Sequence, residues 1–421
     1  MAELAINGGK KVRTREFFSW PYYDHRELKY VEEVIRSGAW FAGMRGADPG
    51  TKTAEFERKF AHYHNANYGV ACANGSVAIE IALRAAGVGV GDEVIVPALT
   101  FIATVTAVLQ VNAIPILVDT IYDTQCIDPD EIEKAITGRT KAIIPVHYGG
   151  FVCNMDRIIK IAQKHNLIVI ADAAHAHGAI YKGKKIGSIC DAATFSFQGS
   201  KTMTAGEGGI VITNNNELAE KCIQYRSCGR HEEESWYIHY VRPTNYRITE
   251  LQSAVLLAQL ERLDERLKRE NENACYLAKR FKDIDGICPV PGDGNTEVNG
   301  YYLYLLQYDK EKFGGISRNK FIEALNAEGI PCHIGYPWPL SKNPVFQQVK
   351  GGPKGCLFTC PYYGKKVSIK DQKFPVTGKI CAETVVILHQ VLLSYTRDMD
   401  DILAAIIKIK ENSGNYCDHC S

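Results

Sequence analysis

The chain has 421 residues, 46% hydrophobic and 23% charged, a composition typical of a globular protein with two or more domains. With 49 basic and 48 acidic residues its formal net charge is +1, so it lacks the basic surplus of proteins that bind nucleic acid or anionic membranes. Its first segment, MAELAINGGKKVRTREFF, has no apolar stretch of the signal-peptide type, and no run approaches the roughly 20 apolar residues of a membrane span, so we expect a cytoplasmic protein.

Short β-branched segments alternate with helical patterns between about residues 68 and 213. Strands are predicted at YGVACA, DEVIVP, IPILVD, KAIIPV, LIVIAD, ATFSF and GIVITN. Helices are predicted between them, at SVAIEIALRAAG, DEIEKAIT and MDRIIKIAQKHN. This alternation predicts an α/β fold with a mostly parallel sheet, helices on both faces and a site at the carboxyl ends of the strands.

A long amphipathic pattern begins at Thr249 and exceeds the roughly 25 residues of an ordinary helix, so we expect it to bend or to bridge two domains. Beyond it, YYLYLLQY predicts a strand, and SRNKFIEALNAEGI and RDMDDILAAIIKIKEN predict helices. The segment KNPVFQQVKGGPKG is typical of an exposed loop. We therefore predict a large domain over residues 1–264 and a smaller α+β domain over residues 265–421.

Two motifs are not interpreted as ligand sites. The segment GVGVGD, Gly87 to Asp92, imitates a dinucleotide fingerprint, but it follows a predicted helix and precedes a strand, so we interpret it as a helix stop and turn. The pair in CDHC, Cys417 and Cys420, has no second pair at zinc-site spacing. We predict no metal site, and we expect reduced thiols.

Three strand ends carry candidate site residues. After the first strand, Asn74-Gly75-Ser76 lead into a helix whose free N–H groups would hold a phosphate, unless the serine is only a helix cap. The apolar run LIVIAD delivers Asp172 to the end of a buried strand, where a carboxylate needs a cation such as a protonated pyridine nitrogen. A structural cap is the alternative for Asp172, and His175, three residues on, is either structural or part of the same site.

The third strand end is TFSFQGSKTMTAGEGG, in which Lys201 stands between a short strand and a glycine cluster. A partly desolvated lysine loses its proton more easily and becomes a nucleophile toward an aldehyde. A phosphate turn, a strand-end aspartate and a loop lysine, in that order on one sheet, together fit pyridoxal phosphate.

The chain resembles the DegT/StrS family of sugar and cyclitol aminotransferases, which have fold-type I. The resemblance covers nearly the whole chain, through FFSWPYYDHRE, FERKFA, GDEVIVPALTFIAT, DAAHAHGA, SFQGSKTMTAGEGG, NYRITELQSAV and ETVVILHQVLL. It implies a seven-stranded, mostly parallel sheet in a three-layer large domain and a smaller α+β C-terminal domain.

The resemblance also implies a role for each site residue. Lys201 would bond covalently to pyridoxal 5'-phosphate, Asp172 would pair with its ring nitrogen, and His175 would lie by its phenolic oxygen. Phe101 would stack on the pyridine ring. Gly75, Ser76 and Ser196 would hold the phosphate. Asn245 would reach the phosphate from the neighbouring subunit. The protein would therefore be a homodimer with shared active sites.

The implied activity is transfer of an amino group from glutamine or glutamate to a ketone on a cyclitol or sugar in secondary metabolism. The stretches SGAWFAG, RSCGR and HQVLL most resemble the scyllo-inosose aminotransferase and 3-amino-5-hydroxybenzoate synthase arm. An aromatising synthase and a nucleotide-sugar aminotransferase remain alternatives. A regulator with a DNA-binding domain would need extra length and basic charge. The donor carboxylate has three candidate partners, Arg226, Arg230 and Arg247, and the alternative for each arginine is a surface or interface ion pair. The segment YPWPL, Tyr336 to Leu340, either lines the substrate entrance or packs on the domain.

Overall fold

The computed structural model describes residues 2–43, 48–230, 237–242, 244–347, 363–364 and 367–413. The strands are β1 Tyr68–Cys72, β2 Glu93–Pro97, β3 Ile114–Val118, β4 Thr140–Ile143, β5 Ile168–Asp172, β6 Ile180–Tyr181, β7 Lys184–Lys185, β8 Ala192–Ser196, β9 Gly209–Thr213, β10 Ile287–Pro289, β11 Thr296–Val298, β12 Leu303–Tyr308, β13 His333–Ile334 and β14 Thr384–Leu388. The helices are α1 His25–Ser37, α2 Lys52–Tyr63, α3 Gly75–Ala85, α4 Ile102–Gln110, α5 Pro129–Ala135, α6 Met155–His165, α7 Asn216–Arg226, α8 Glu250–Glu261, α9 Leu263–Phe281, α10 Arg318–Ala327, α11 Pro344–Gln347, α12 Pro375–Glu383, α13 His389–Leu392 and α14 Thr396–Glu411.

A seven-stranded sheet in the order β1-β9-β8-β5-β4-β2-β3 forms the centre of the molecule. The five strands from β8 to β3 run parallel to one another, and β9 pairs antiparallel with both β8 and β1. The seven strands predicted from the sequence are the seven strands of this sheet, so the predicted α/β fold with a mostly parallel sheet is confirmed.

Successive residues of these strands belong to two different cores. Val169 of β5 packs in one hydrophobic cluster, and its neighbour Ile170 packs in the other. Because side chains alternate between the two faces of a strand, the two clusters lie on opposite faces of the sheet. Each cluster also contains residues of helices, so helices cover both faces. This burial explains why the strands are continuous apolar runs rather than alternating ones.

Local capping sets where α3 begins. The side chain of Asn74 accepts a hydrogen bond of 3.0 Å from the backbone N–H of Val77, so Asn74 is the cap and Gly75 is the first helical residue. The alternative in which Ser76 caps this helix is therefore wrong. Beyond α3, the chain turns at Gly87 and Gly91, whose φ angles are +76° and +84°, which confirms the helix stop and turn.

The amphipathic pattern after Thr249 forms two helices, α8 and α9, with a break at Arg262, as its length predicted. Strands β10, β12, β14 and β13 then form an antiparallel sheet that packs with α9, α10 and α14 around a third core. A domain division at residues 264 and 265 stays a prediction. A further small sheet, β11-β6-β7, has strands of two or three residues, too short for the sequence pattern to reveal.

Two sequence features fall wholly or partly beyond the described residues. The CDHC motif lies outside them, as does most of KNPVFQQVKGGPKG from residue 348 onward, and Pro344–Gln347 within that segment form α11. Among the helices of the described ranges, none combines the length and the apolar character that crossing a bilayer requires.

Candidate active site

A cavity of about 1000 Å³ lies at the carboxyl ends of the central strands. Seven of the eight residues predicted for the cofactor site line it, namely Gly75, Ser76, Phe101, Asp172, His175, Ser196 and Lys201. The eighth, Asn245, does not line it. Since β1, β2, β5 and β8 all end at this edge of the sheet, residues more than 100 positions apart in the chain meet around one space.

Asp172 is the last residue of β5, and its carboxylate is held from both sides. Thr104 Oγ1 donates to Oδ2 over 2.8 Å, and the backbone N–H of Ala174 donates to Oδ1 over 3.2 Å. Burial raises the pKa of Asp172, while these two hydrogen bonds and the charge of Lys201 act in the opposite direction. Residues 173–179 form no helix, so Asp172 is not a helix cap. A buried acid in this position is stabilised as a carboxylate by a cation placed beside it.

Lys201 follows β8 by five residues and lies against the ring of Tyr302, with Nζ 4.1 Å from the ring centroid. Burial lowers the pKa of Lys201 to about 8, and the charge of Asp172 opposes part of that shift. An amine with this pKa is partly unprotonated near neutral pH, which is the state that attacks a carbonyl group.

His175 is buried between aromatic rings at the same end of the sheet. Its ring centroid lies 4.3 Å from that of Tyr302, and its Nδ1 accepts a hydrogen bond of 3.3 Å from the backbone N–H of Gly149. Burial keeps the pKa of His175 well below its usual value. A neutral ring whose Nδ1 accepts must carry its proton on Nε2, so this histidine offers one N–H donor to a ligand.

The first turn of α3 is close to the end of β8. A Cβ atom placed on Gly75 would lie 2.6 Å from Cβ of Ser196, so only glycine fits between helix and strand. The N–H groups of Gly75 and Ser76 have no acceptor within the helix, because they precede its first complete turn. Together with the Ser196 hydroxyl they form a set of donors suited to an anion.

Phe101 and Asn245 are both exposed, but only Phe101 belongs to the cavity. Phe101 lines the cavity, yet 58% of its surface is exposed. Asn245 is exposed and pairs its backbone with Ser227. Within one chain, therefore, Asn245 does not join the other predicted cofactor residues.

None of the three candidate arginines lines the cavity. Arg226 is buried, forms an ion pair with Glu57 and donates to the carbonyl of Ala71 over 3.0 Å, which gives it a structural role between α7 and β1. Arg247 donates to Cys228 Sγ over 3.6 Å.

Three tyrosines form an aromatic wall that sequence reasoning recognised only in part. Tyr148, Tyr302 and Tyr336 all line the cavity, and Tyr148 lies 5.6 Å from Tyr336 between ring centroids. Of the YPWPL segment, Tyr336 thus faces the cavity, while Leu340 packs into a hydrophobic core. Thr104, the partner of Asp172, carried no recognisable signal, since it stands in an ordinary helical pattern.

These groups fit pyridoxal phosphate. The molecule needs an acid for its ring nitrogen, an amine for its carbonyl carbon and N–H and O–H donors for its phosphate. Asp172, Lys201 and the α3 turn with Ser196 supply the three in one cavity. A doubly wound α/β sheet with this set of residues assigns the protein to the class of enzymes that depend on pyridoxal phosphate.

Comparison with known proteins names the family. Residues 21–369 match the model of the DegT/DnrJ/EryC1/StrS aminotransferase family, and the chain belongs to that family. An L-glutamine:2-deoxy-scyllo-inosose aminotransferase of Streptoalloteichus tenebrarius is 35% identical over 423 residues, which cover 98% of each chain.

Two solved structures agree with this assignment. A crystal structure of 3-amino-5-hydroxybenzoic acid synthase is 33% identical, with a TM-score of 0.83 over 94% of this chain and 99% of that one. A sugar aminotransferase from Streptococcus pneumoniae in its pyridoxal phosphate form is 26% identical, with a TM-score of 0.79 over 95% and 100% of the two chains. The protein is a pyridoxal-phosphate-dependent aminotransferase with the fold-type I architecture that the resemblance implied.

Proposed function

We propose that this aminotransferase moves an amino group from glutamine or glutamate to a ketone on a cyclitol, in the biosynthesis of an aminoglycoside-like secondary metabolite. The printed function of the Streptoalloteichus relative supports glutamine as donor and an inosose as acceptor. The tyrosine wall supports a cyclic, polyhydroxylated acceptor, because aromatic rings pack on its C–H faces while hydroxyl groups bond to its edges. A cytoplasmic location stays a prediction from the sequence.

Lys201 and Asp172 have complementary tasks in this proposal. Bound pyridoxal phosphate supplies a carbonyl carbon for amines and a ring that takes up the electrons left when a proton departs. Lys201 would hold the cofactor through that carbon and, as a free amine, would move the proton from the donor's α-carbon. Its pKa of about 8 suits both tasks near neutral pH. Asp172 holds the proton on the ring nitrogen by its negative charge.

The remaining residues position the cofactor. The N–H groups of Gly75 and Ser76 and the hydroxyl of Ser196 would hold the phosphate, and Phe101 would stack on the ring. His175 would donate its Nε2–H to the phenolic oxygen. We assign no arginine to the donor carboxylate.

A homodimer with shared active sites belongs to the same proposal. Phe101 is largely exposed although it lines the cavity, so the site has an open side that a second subunit could cover. Asn245 lies apart from the cavity of its own chain, and we assign it to the phosphate of the partner's site. Gel filtration should give at least a dimer, and an active monomer would contradict this assignment.

The observation that carries the proposal is that Asp172 and Lys201 lie in one cavity with the α3 turn. The protein should therefore show a visible absorption band with pyridoxal phosphate, and borohydride should attach the cofactor to the peptide that contains Lys201. Lys201→Ala should abolish both signals. Asp172→Asn should retain the cofactor but lose most turnover. A label on another peptide, or full activity of Asp172→Asn, would refute the corresponding role.

The substrates are tested as two half-reactions. Glutamine, glutamate and alanine are added in turn to the enzyme with bound cofactor, and loss of the visible band reports the donor. Keto-cyclitols and nucleotide keto-sugars are then added to the aminated enzyme, and recovery of the band reports the acceptor. Recovery with a keto-cyclitol supports the proposal, and recovery with nucleotide keto-sugars alone contradicts it.

An aromatising 3-amino-5-hydroxybenzoate synthase is the second candidate. The solved synthase structure, which matches 94% of this chain, favours it. In that reaction Lys201 would act as the base that removes protons before water leaves. Incubation with an amino-dehydroshikimate-type substrate separates the two functions, because only the synthase forms an aromatic product with its ultraviolet absorbance.

A further inference from the structure

The segment that carries Lys201 is held by residues from distant parts of the chain. Trp20 Nε1 donates to the carbonyl of Gly199 over 3.0 Å, and Tyr302 Oη and Ser200 Oγ are 2.9 Å apart. His389 Nε2 lies 3.3 Å from the carbonyl oxygen of Ser200, the residue just before Lys201. The backbone beside Lys201 is thus fixed by the N-terminal segment, by the residue before β12 and by α13.

His389 also reaches a second buried group. It is the first residue of α13 and is completely buried, with its ring 4.5 Å from that of Trp20. Its Nδ1 lies 3.3 Å from Oε1 of Glu270 on α9, which is 2% exposed. A continuous hydrogen-bonded chain therefore runs from Glu270 through His389 to the backbone at Ser200.

The positions of the protons in this chain follow from its two ends. The carbonyl of Ser200 can only accept, so Nε2 of His389 must carry a proton. Nδ1 then either accepts from a protonated Glu270 or, as part of an imidazolium, donates to its carboxylate. In both cases the pair holds two protons and has no net charge.

Burial decides between these two arrangements. It lowers the pKa of His389 to about 3 and raises that of Glu270 well above its usual value. Two cations act on the pair: Arg266 lowers the pKa of both groups, and Lys201 lowers that of His389. A neutral acid and a neutral imidazole avoid the cost of two buried charges, so the protonated Glu270 is the donor.

We propose that His389 is a positioning residue for Lys201, with a neutral ring whose Nε2–H is donated to the Ser200 carbonyl and whose tautomer is fixed by Glu270 as a carboxylic acid. The inference rests on the proposed function of Lys201. The hydrogen bond from His389 would hold the backbone beside Lys201 in place. Proton transfer by the Lys201 amine slows when that backbone shifts by a fraction of an ångström, because the amine must reach two reacting carbons in turn.

Matched variants at Glu270 provide the test. Glu270→Gln keeps a side-chain N–H that donates to Nδ1, and Glu270→Leu has a similar size but no donor. Gln should retain near wild-type proton transfer, whereas Leu should slow the donor half-reaction about tenfold with unchanged donor affinity, as expected for misplaced reacting groups. His389→Gln should behave like Glu270→Gln, and His389→Leu like Glu270→Leu. Equal effects of Gln and Leu at position 270 would overturn the assigned tautomer.

A second measurement is independent of turnover. The protein is labelled with 15N at histidine, with and without cofactor, and His389→Gln assigns the His389 resonances. A neutral ring with the proton on Nε2 is expected from pH 6 to 8, and it should change in Glu270→Leu and persist in Glu270→Gln. An imidazolium, or a proton on Nδ1, would overturn the inference.

Failure of the inference is distinct from failure of the proposed function. If His389→Leu traps the cofactor on Lys201 and transfers protons at the wild-type rate, the positioning role is wrong and the role of Lys201 stands. If Lys201→Ala keeps the absorption band, the proposed function fails whatever tautomer His389 adopts.

Discussion

Thr104 and Asp172 are joined by a hydrogen bond of 2.8 Å that connects the first turn of α4 to the end of β5. Thr104 is in turn 2.7 Å from the hydroxyl of Thr100. Because the backbone N–H of Ala174 serves the other carboxylate oxygen, each oxygen of Asp172 has one donor. The carboxylate is therefore fixed in direction before any ligand binds.

We expect Thr104→Val to lower the turnover number about tenfold, since a hydrogen bond to a charged group contributes roughly 1.5 to 3 kcal/mol and only part of it acts in the rate-limiting step. This hydrogen bond lowers the pKa of the buried Asp172. Without it the ionised form of Asp172 is less stable, so the carboxylate is less able to keep the proton on the ring nitrogen. The rate of band loss with the donor measures the effect. Thr104→Ser keeps the hydroxyl and should stay close to the wild type. Equal rates for Val and Ser would contradict a role for this hydrogen bond.

The sequence predicted the main sheet and most of the site because both depend on local patterns. Each buried strand is an apolar run bounded by polar turns, and the strand order along the chain places Gly75, Asp172 and Lys201 at carboxyl ends. The fold then brings these ends together, because the carboxyl ends of parallel strands lie at the same edge of a sheet. The family resemblance added roles for Phe101 and Ser196, which carry no chemical signal of their own.

Contacts between distant segments were beyond that reasoning. His389 and Ser200 are 189 positions apart, and no periodicity connects them. Thr104 stands in a helix where threonine is unremarkable, so its bond to Asp172 appears only when α4 is packed against β5. For Arg226 the sequence suggested a ligand contact that the fold does not provide. This arginine was a candidate for the donor carboxylate, but it is buried and pairs with Glu57.

Gly75→Ala should weaken binding of pyridoxal phosphate by about tenfold or more, equivalent to at least 1.4 kcal/mol. The added Cβ would lie 2.6 Å from Cβ of Ser196, so the α3 turn or β8 must move and its anion donors move with it. Titration of cofactor-free protein by fluorescence gives the dissociation constant. Gly89→Ala is the matched control, because a Cβ there meets no atom within 4 Å. Unchanged affinity in Gly75→Ala would show that this turn does not hold the phosphate.

Heterodimers should show whether Asn245 completes the partner's site. A Lys201→Ala protomer and an Asn245→Asp protomer, purified together through different tags, form one site with both residues intact if Asn245 acts across the interface. About half of the wild-type activity per dimer is then expected, although each homodimer is nearly inactive. Activity no higher than that of the Asn245→Asp homodimer would place Asn245 in its own subunit's site or outside any site.

His64 should make the protein sensitive to acid. Its Nε2 accepts from the N–H of Gly178 and its Nδ1 bonds to the carbonyl of Phe60, each over 3.1 Å, and burial lowers its pKa to about 3. Between pH 3 and about 6.5 the unfolded chain therefore binds one more proton at this residue than the folded chain. The stability that the neutral ring contributes is complete above pH 6.5 and is lost as the pH falls toward 3.

This loss should be visible as a difference between two slopes. His64→Gln does not titrate and can form both hydrogen bonds through its amide. As the pH falls from 6.5 to 5, the free energy of unfolding of the wild type should decrease more steeply than that of the variant, by up to about 1.4 kcal/mol per pH unit. Urea unfolding at several pH values measures both slopes, and a constant offset between the curves reports only packing. Parallel curves over this range would mean that His64 takes up its proton equally in the folded and unfolded protein, and would contradict the neutral ring inferred from its bond to Gly178.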